Sequence, residues 1–150
     1  MAALFIPLAG IQNDEALFSS PLYANINQDL AAKLWRFEMP MMVMTYLGSL
    51  KSLLFWPILS LFGANLWSIR LPVVLLGAAS VSVFYHFLRN TIGPRAALAG
   101  AFLLATDPIY LLTNTFDWGP VAVEHFLLVT ACWAFHQFGT RTDTTGSFWV

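Results

Sequence analysis

Two adjacent acidic residues follow the first apolar stretch of the chain, in the order Asn13-Asp14-Glu15. Neighbouring carboxylates can act as a general base and its orienting partner, or they can bind a cation. The same residue types are also common at helix starts, which makes Asp14 a candidate N-cap for a helix that runs from Ala16 onward. The residues alone leave both interpretations open.

Two basic residues stand at the starts of apolar segments. Lys51 precedes a short apolar segment that contains Phe55 and Trp56. Its ammonium group can hold a phosphate as a point charge, or it can extend along its apolar stem to lipid headgroups. Arg70, followed by Pro72, opens the next apolar stretch, where an arginine most often anchors a helix end at a membrane interface.

Acidic residues recur at the later turns. Asp107 directly precedes Pro108, a pair that favours an N-cap, with one helix ending near Thr106 and a short helix starting at Pro108. An acid inside an apolar stretch is otherwise a candidate functional residue. Asp117 lies in the turn Thr-Asn-Thr-Phe-Asp-Trp-Gly-Pro. Beside Trp118 it can bind a sugar, or it can cap the next helix.

Two of the three histidines, His86 and His136, are expected near the inner ends of different apolar stretches. Two such imidazoles can ligate a haem iron axially, although histidines at helix ends are far more often interfacial. The single cysteine, Cys132, excludes a disulfide framework and a multi-cysteine metal site. Glycine-rich phosphate loops and Cys-x-x-Cys, His-Glu-x-x-His and Gly-x-Ser-x-Gly motifs are absent from the sequence. Apart from the haem alternative, we expect no metal site and no cofactor.

The chain that carries these groups is unusually apolar. Of its 150 residues, 58% are hydrophobic and 10% are charged, against about 45–50% and about 25% in globular domains. Because so few charges do not cover the surface of a soluble domain, we exclude that class, and the high hydrophobicity excludes intrinsic disorder. A net charge of -1 gives no basic surface for nucleic acid. The composition predicts an all-α integral membrane protein whose first partner is the lipid bilayer.

A spanning helix needs about 20 mostly apolar residues. Residues 1–11 are too short, and we expect them to be the end of a truncated first span in a fragment or behind a misplaced start codon. An outer loop is expected over 13–69. Within it, the apolar segment 52–62 contains Pro57, and its length favours an interfacial or re-entrant helix over a span. If this segment does cross the membrane, the orientation of all later spans is inverted. Three stretches are long enough to span, and together with the loop they make a single module: 70–89, 95–113 and 119–138.

The orientation follows by parity. If the first apolar stretch leaves the membrane, residues 13–69 lie outside and the first full span runs inward. Arg89 and Arg95 then fall in a short inner loop, as the positive-inside rule favours. This topology gathers the charged candidates on the outer face of the membrane: Asp14, Glu15, Lys51, Arg70 and Asp117.

The outer loop is expected to contain an amphipathic surface helix within residues 21–46. Leu30, Leu34 and Phe37 recur at spacings of four and three, which places them on one helical face. Pro40 ends the pattern. Such a helix would lie on the membrane surface.

The order of these features is distinctive and covers nearly the whole chain. An apolar segment ends in Asp-Glu, and a long outer loop with Leu22-Tyr23-Ala24 follows. This order resembles the N-terminal module of GT-C-type membrane glycosyltransferases, in particular the protein O-mannosyltransferase and aminoarabinose lipid A transferase families. The further segments that carry the resemblance are Lys51-Ser52-Leu53-Leu54-Phe55-Trp56, Leu61-Phe62-Gly63-Ala64-Asn65, Arg70-Leu71-Pro72, the inner loop Arg-Asn-Thr-Ile-Gly-Pro-Arg and Leu103-Leu104-Ala105-Thr106-Asp107-Pro108.

The resemblance implies transfer of a sugar from a polyprenyl-phosphate donor to a lipid, glycan or protein acceptor at the outer face of the cell (plasma or inner) membrane. It implies that Asp14 is the general base and Glu15 its partner acid. Lys51 matches a family lysine that contacts the donor phosphate, within a segment where the family has proline at Ser52. Asp117 lies a few residues earlier than the family's second outer acid. We expect Asp117 and Arg70 to bind substrate as well.

Family members are several times longer, so the resemblance also implies that later spans are absent from this chain. An alternative of a different class is a small non-enzymatic integral membrane protein that binds haem through His86 and His136.

Overall fold

The computed structural model describes residues 4, 6–8, 10–20, 31–34, 37–44 and 47–144. Helices dominate these ranges, in agreement with the expected helical class. In chain order they are α1 (Asn13–Ser19), α2 (Leu50–Phe62), α3 (Leu66–Thr91), α4 (Pro94–Thr106), α5 (Pro108–Thr113) and α6 (Val121–Thr144).

Two short antiparallel hairpins lie between α1 and α2, and they correct the surface helix predicted for residues 21–46. Strand β1 (Ala31–Leu34) pairs with β2 (Phe37–Pro40), and β3 (Met42–Met44) pairs with β4 (Leu47–Gly48) across a bulge. The helical prediction is therefore wrong for these strands, while residues 21–30 lie outside the described ranges. Leu34 and Phe37 are partners across the first turn, so their spacing of three fits a two-residue hairpin as well as a helical face.

Helix α2 is a 13-residue apolar helix that contains Pro57. Helix α3 has 26 residues, and its N-cap is Asn65, whose side-chain oxygen accepts hydrogen bonds from the backbone N–H groups of Trp67 and Ser68, both at 3.0 Å. Among the described helices, α3 alone is long and apolar enough to cross a membrane by length and composition.

The stretch expected to form one span over 95–113 is two helices. Helix α4 ends at Thr106, and the side chain of Asp107 accepts a hydrogen bond of 2.7 Å from the backbone N–H of Tyr110 at the start of α5. The predicted cap at Asp107 is confirmed. Its Oδ1 satisfies a backbone donor that has no partner within the helix.

The packed core lies where α2, α3 and α6 meet. Its buried side chains come from all three helices: Phe55, Leu59, Ile69, Val73, Ala122 and Val123. The first turn of α3 and the turn that precedes α6 are therefore held against α2. This end of the bundle also contains the charged residues singled out from the sequence.

Candidate functional site

The five charged residues predicted to share one face lie together at this end of the bundle. They come from four segments: Asp14 and Glu15 from α1, Lys51 from α2, Arg70 from α3, and Asp117 from the turn before α6. Four of the five form two buried ion pairs, and Asp14 lies beside these pairs.

Glu15 and Arg70 form the first pair. The Nε of Arg70 lies 2.5 Å from Oε1 of Glu15, and the Nη2 of Arg70 lies 2.9 Å from Oε2. This is the bidentate geometry in which a guanidinium and a carboxylate bind most strongly. Arg70 is 0% exposed and Glu15 is 1% exposed.

The same pair connects further segments of the chain. Arg70 donates to the backbone carbonyls of Ile6, at 2.6 Å, and Gly10, at 2.8 Å, and its guanidinium carbon lies 5.3 Å from the ring centroid of Phe116. The backbone N–H of Gln12 donates to Oε2 of Glu15 at 2.8 Å. The two side chains thus join the N-terminal segment, α1, α3 and the turn before α6. Contacts of this kind are typical of positioning residues.

Lys51 and Asp117 form the second pair. The Lys51 ammonium donates to Oδ1 of Asp117 and, at 2.6 Å, to the carbonyl of Gly119. It also lies 4.5 Å from the ring centroid of Phe18 and 5.8 Å from that of Phe55, within range of a cation–π attraction. Because Lys51 is only 4% exposed, its ammonium does not extend to lipid headgroups.

Burial dominates the electrostatics of this second pair. It raises the pKa of Asp117 to about 6, although the neighbouring Lys51 favours the carboxylate. Burial also lowers the pKa of Lys51, with Asp117, Glu15 and Asp14 acting in the opposite direction. Since an isolated buried charge is costly, each partner stabilises the charged form of the other.

Little solvent enters between the two pairs. The cavity bounded by Glu15, Lys51 and Asp117, together with the ring of Phe55, has a volume of about 10 Å³. That is room for one water molecule at most. A substrate therefore reaches Lys51 only after a side chain or the turn has moved.

Asp117 has an unusual backbone conformation. Its φ is 47°, and Gly119 follows with a φ of 62°. The left-handed region is unfavourable for residues with a Cβ, although aspartate tolerates it better than most. The Gly119 N–H donates to the Asp117 carbonyl at 2.9 Å, which tightens the turn and directs the Gly119 carbonyl to Lys51.

Asp14 differs from the other four charged residues. Its Oδ2 lies 3.7 Å from the position that a Cβ on Gly119 would occupy, so it stands next to the Asp117 turn. The side chain is half-buried, and within the described residues its carboxylate accepts no hydrogen bond. The N-cap of α1 is Gln12, so the alternative interpretation of Asp14 as that N-cap is wrong.

Two residues that support the turn were not singled out from the sequence. The Asn114 amide donates to the Tyr110 carbonyl at 2.8 Å and packs so closely on Gly77 that a Cβ there would lie 2.9 Å from its side chain. The Tyr110 hydroxyl donates to the Gly77 carbonyl at 2.8 Å. A lone glycine inside an apolar helix is the one local signal of such a close approach.

The histidines of the haem alternative do not face each other. His136 packs edge-on against Phe87, with ring centroids 6.1 Å apart. His86 is exposed and contacts Tyr85. Because successive helical residues point about 100° apart, the contact at Phe87 turns His86 away from His136. In the described part of the chain, no group of three or more His, Cys, Asp or Glu side chains could hold a metal ion.

Comparison with known proteins identifies the family. Residues 49–149 match the family described as dolichyl-phosphate-mannose-protein mannosyltransferase. The chain belongs to this family. The match includes Lys51, Arg70 and Asp117, and it confirms the resemblance to GT-C-type glycosyltransferases. No solved structure matches the chain.

Two curated relatives come from Bacillus subtilis (strain 168). "Putative mannosyltransferase YkcB" is 36% identical over 76 residues, which are 49% of this chain and 10% of that protein. "Putative mannosyltransferase YycA" is 33% identical over 75 residues, which are 48% of this chain and 11% of that protein. The matched region thus spans about a tenth of each relative's length.

Proposed function

We propose that the chain is the donor-binding module of a membrane glycosyltransferase. The complete enzyme would transfer a sugar from a polyprenyl-phosphate carrier to a lipid, glycan or protein acceptor at the outer face of the membrane. Family membership supports the glycosyltransferase class. The observation that carries the proposal is that a buried cation, Lys51, and a half-buried carboxylate, Asp14, which has no hydrogen-bond partner among the described residues, lie around one turn.

The proposed transfer uses a proton acceptor and a cation, which are the roles of Asp14 and Lys51 in this proposal. Asp14 accepts the proton of the acceptor hydroxyl, whose oxygen forms a bond to the anomeric carbon of the sugar. The bond from that carbon to the phosphate oxygen breaks, and the polyprenyl phosphate leaves with the electron pair. Because this leaving group carries its own negative charge, it needs a cation more than an acid. In this proposal Lys51 is that cation.

The buried Glu15–Arg70 pair has a different place in the proposal. The sequence suggests a catalytic role for Glu15 and a substrate-binding role for Arg70, and both stay predictions. Their contacts favour positioning, since each is held by groups of the chain itself. In this proposal the pair fixes α1, and with it Asp14, against the first turn of α3.

A membrane setting fits the surface of the helices. Large apolar side chains are exposed on α3, α4 and α6, including Leu75, Leu98, Phe102, Leu128 and Phe135. A soluble domain rarely exposes so much apolar surface, whereas a bilayer covers it. We propose several spans, with α2 in the interface and the charged site on the outer side.

The test is donor binding to the full-length protein in detergent, with a polyprenyl-phosphate analogue as the probe. Lys51→Ala removes a charge-assisted contact worth roughly 1.5–3 kcal/mol, so the affinity should fall about 10- to 150-fold. Lys51→Arg keeps the charge with another geometry and should restore part of the affinity. Arg89→Ala, at the far end of α3, is the matched basic control. Equal affinity for all four proteins would refute the proposal.

A further inference from the structure

The anion position at Lys51 is already filled by the chain itself. Asp117 and the Gly119 carbonyl both accept hydrogen bonds from the Lys51 ammonium, and the aromatic rings of Phe18 and Phe55 lie beside it. The adjoining cavity of about 10 Å³ is far too small for a phosphate group. A donor phosphate therefore meets Lys51 only if one of these partners leaves.

We infer that Asp117 is an internal substitute for the donor phosphate, which occupies the anion position at Lys51 in the empty site and is displaced when the donor binds. The inference rests on the proposed function, because it takes the donor to be linked through phosphate. It gives Asp117 a role other than the substrate contact expected from the sequence.

The charges around Lys51 favour replacement of Asp117 by the phosphate over binding of the phosphate in addition to Asp117. A carboxylate oxygen and a phosphate oxygen accept the same hydrogen bond from an ammonium group. If the phosphate entered while Asp117 stayed, two anions would share one buried cation, with Glu15 and Asp14 close by. Like charges in a site with little water repel strongly. Replacing one anion by another keeps the buried charge unchanged.

The turn that carries Asp117 is built to move without the rest of the site. Asp117 has a left-handed backbone two positions before the left-handed Gly119, so release of the Asp117 side chain relieves an unfavourable conformation. Trp118 at the tip is 49% exposed. The chain just before the turn is anchored at two residues: Asn114 packs on Gly77, and the ring of Phe116 lies against the Arg70 guanidinium. Displacement is therefore confined to the residues around Asp117.

The test measures the affinity of the full-length protein for polyprenyl phosphate that carries no sugar, so that only the phosphate and the lipid are recognised. Asp117→Asn keeps a hydrogen-bond acceptor and tolerates the left-handed backbone, but it removes the competing charge. We expect this variant to bind about fivefold to tenfold more tightly than the wild type, because a neutral acceptor holds an ammonium less strongly than a carboxylate does. Asp117→Gly accommodates the same backbone and should also bind more tightly.

Asp107→Asn is the control, since Asp107 caps α5 outside the site and should leave phosphate affinity unchanged. One outcome would overturn the inference alone: the wild type binds polyprenyl phosphate, Lys51→Ala does not, and both Asp117 variants bind it no more tightly than the wild type. The proposed function would then still stand. Absence of binding by the wild type and by both Asp117 variants would overturn the inference and the proposed function together.

Discussion

Asp14 and Glu15 are neighbours in the sequence but have opposite surroundings. Glu15 accepts hydrogen bonds from Arg70 and from the Gln12 backbone and is 1% exposed. Asp14 is half-buried, and among the described residues it has no hydrogen-bond partner. Adjacent residues on a helix point about 100° apart, so one is directed into the bundle and the other along its edge. Of the two carboxylates, that of Asp14 is therefore the one that an acceptor hydroxyl can reach.

Replacing Asp14 tests the proposed base. Asp14→Asn keeps the size of the side chain and removes the proton acceptor, and general base catalysis is typically worth about 10²–10⁴-fold. We expect kcat for sugar transfer by the full-length enzyme to fall by that order, while donor affinity stays unchanged. Asn13→Ala, one position earlier and exposed, is the control. Near-normal turnover in Asp14→Asn would remove Asp14 from the chemistry.

The buried Glu15–Arg70 pair predicts a large effect on stability. Glu15→Gln leaves the Arg70 guanidinium buried without its counter-charge, and breaking such a pair costs about 3–5 kcal/mol. The midpoint of thermal denaturation in detergent should fall clearly, and Asp14→Asn should not lower it. A Glu15→Gln protein as stable as the wild type would contradict the positioning role.

The raised pKa of Asp117 predicts how donor binding depends on pH. Burial raises this pKa to about 6, with Lys51, Glu15 and Arg70 as its charged neighbours; Asp14 also lies beside the turn. Above that pH the carboxylate is ionised and competes for Lys51, whereas below it the protonated acid releases the ammonium. The phosphate monoester of the ligand also takes up a proton at about pH 6, which affects both proteins equally. The affinity of the wild type relative to that of Asp117→Asn should therefore increase as the pH falls from about 7.5 to about 5.5. A constant ratio of the two affinities would assign the pH dependence to another group.

Local sequence patterns predicted those elements whose signals are local. The Asp107-Pro108 pair places an N-cap and the first residue of α5, and the structure has both. The spacing of Leu34 and Phe37 is also local, but it is shared by a helical face and a two-residue hairpin, and the chain adopts the hairpin. Backbone pairing between β1 and β2 decides this choice, and it is not contained in side-chain periodicity.

The pairing of the charged residues is beyond such patterns. Arg70 contacts a partner 55 residues earlier, and Lys51 contacts one 66 residues later. The topology expected from the sequence places these residues on one membrane face, but it does not predict which of them form ion pairs. Which carboxylate each cation binds depends on how α1, α2 and α3 pack. The core around Phe55 and Val73 holds α2 and α3 together with α6.

The contact between α3 and the turn before α6 predicts a role for Gly77. A Cβ at this position would lie 2.9 Å from the Asn114 side chain, so Gly77→Ala forces the turn away from the helix. Overpacking of this kind costs about 1–3 kcal/mol, and the shift should also weaken donor binding by displacing Gly119. Gly139→Ala in α6 is the control, since its added Cβ would meet no described atom within 4 Å outside its chain neighbours and its own helical backbone. Equal stability of the two variants would show that the turn does not depend on Gly77.

The whole molecule combines an apolar exterior with one charged, closed end. Its family consists of membrane glycosyltransferases, and the matched region is about a tenth of the length of the two Bacillus subtilis relatives. Residues 49–149, which match the family, contain the core and the Lys51–Asp117 ion pair of the charged end, and Glu15, the partner of Arg70, precedes them. We therefore expect Asp14 and Lys51 to be positioned by this module, and the acceptor to be selected by other parts of the enzyme.

The orientation of the charged end is testable by cysteine labelling of the full-length protein in intact cells, in a Cys132→Ala background. Asp14 lies beside Gly119. Asn13, which precedes Asp14, and Trp118, which precedes Gly119, are both exposed, so cysteines at these two positions must label from the same side. Helix α3 is 26 residues long, about 39 Å, which exceeds the roughly 30 Å of a bilayer core. The proposed span would therefore carry Asn90 to the opposite side.

An impermeant thiol reagent should therefore label Asn13→Cys and Trp118→Cys, and it should label Asn90→Cys only after permeabilisation. Labelling of Asn90→Cys alone in intact cells would reverse the proposed orientation and place the site on the inner face. Labelling of Asn13→Cys and Trp118→Cys from opposite sides is incompatible with the contact between α1 and the Asp117 turn. It would separate the proposed base from the proposed phosphate cation, because Lys51 is bound to that turn through Asp117 and Gly119.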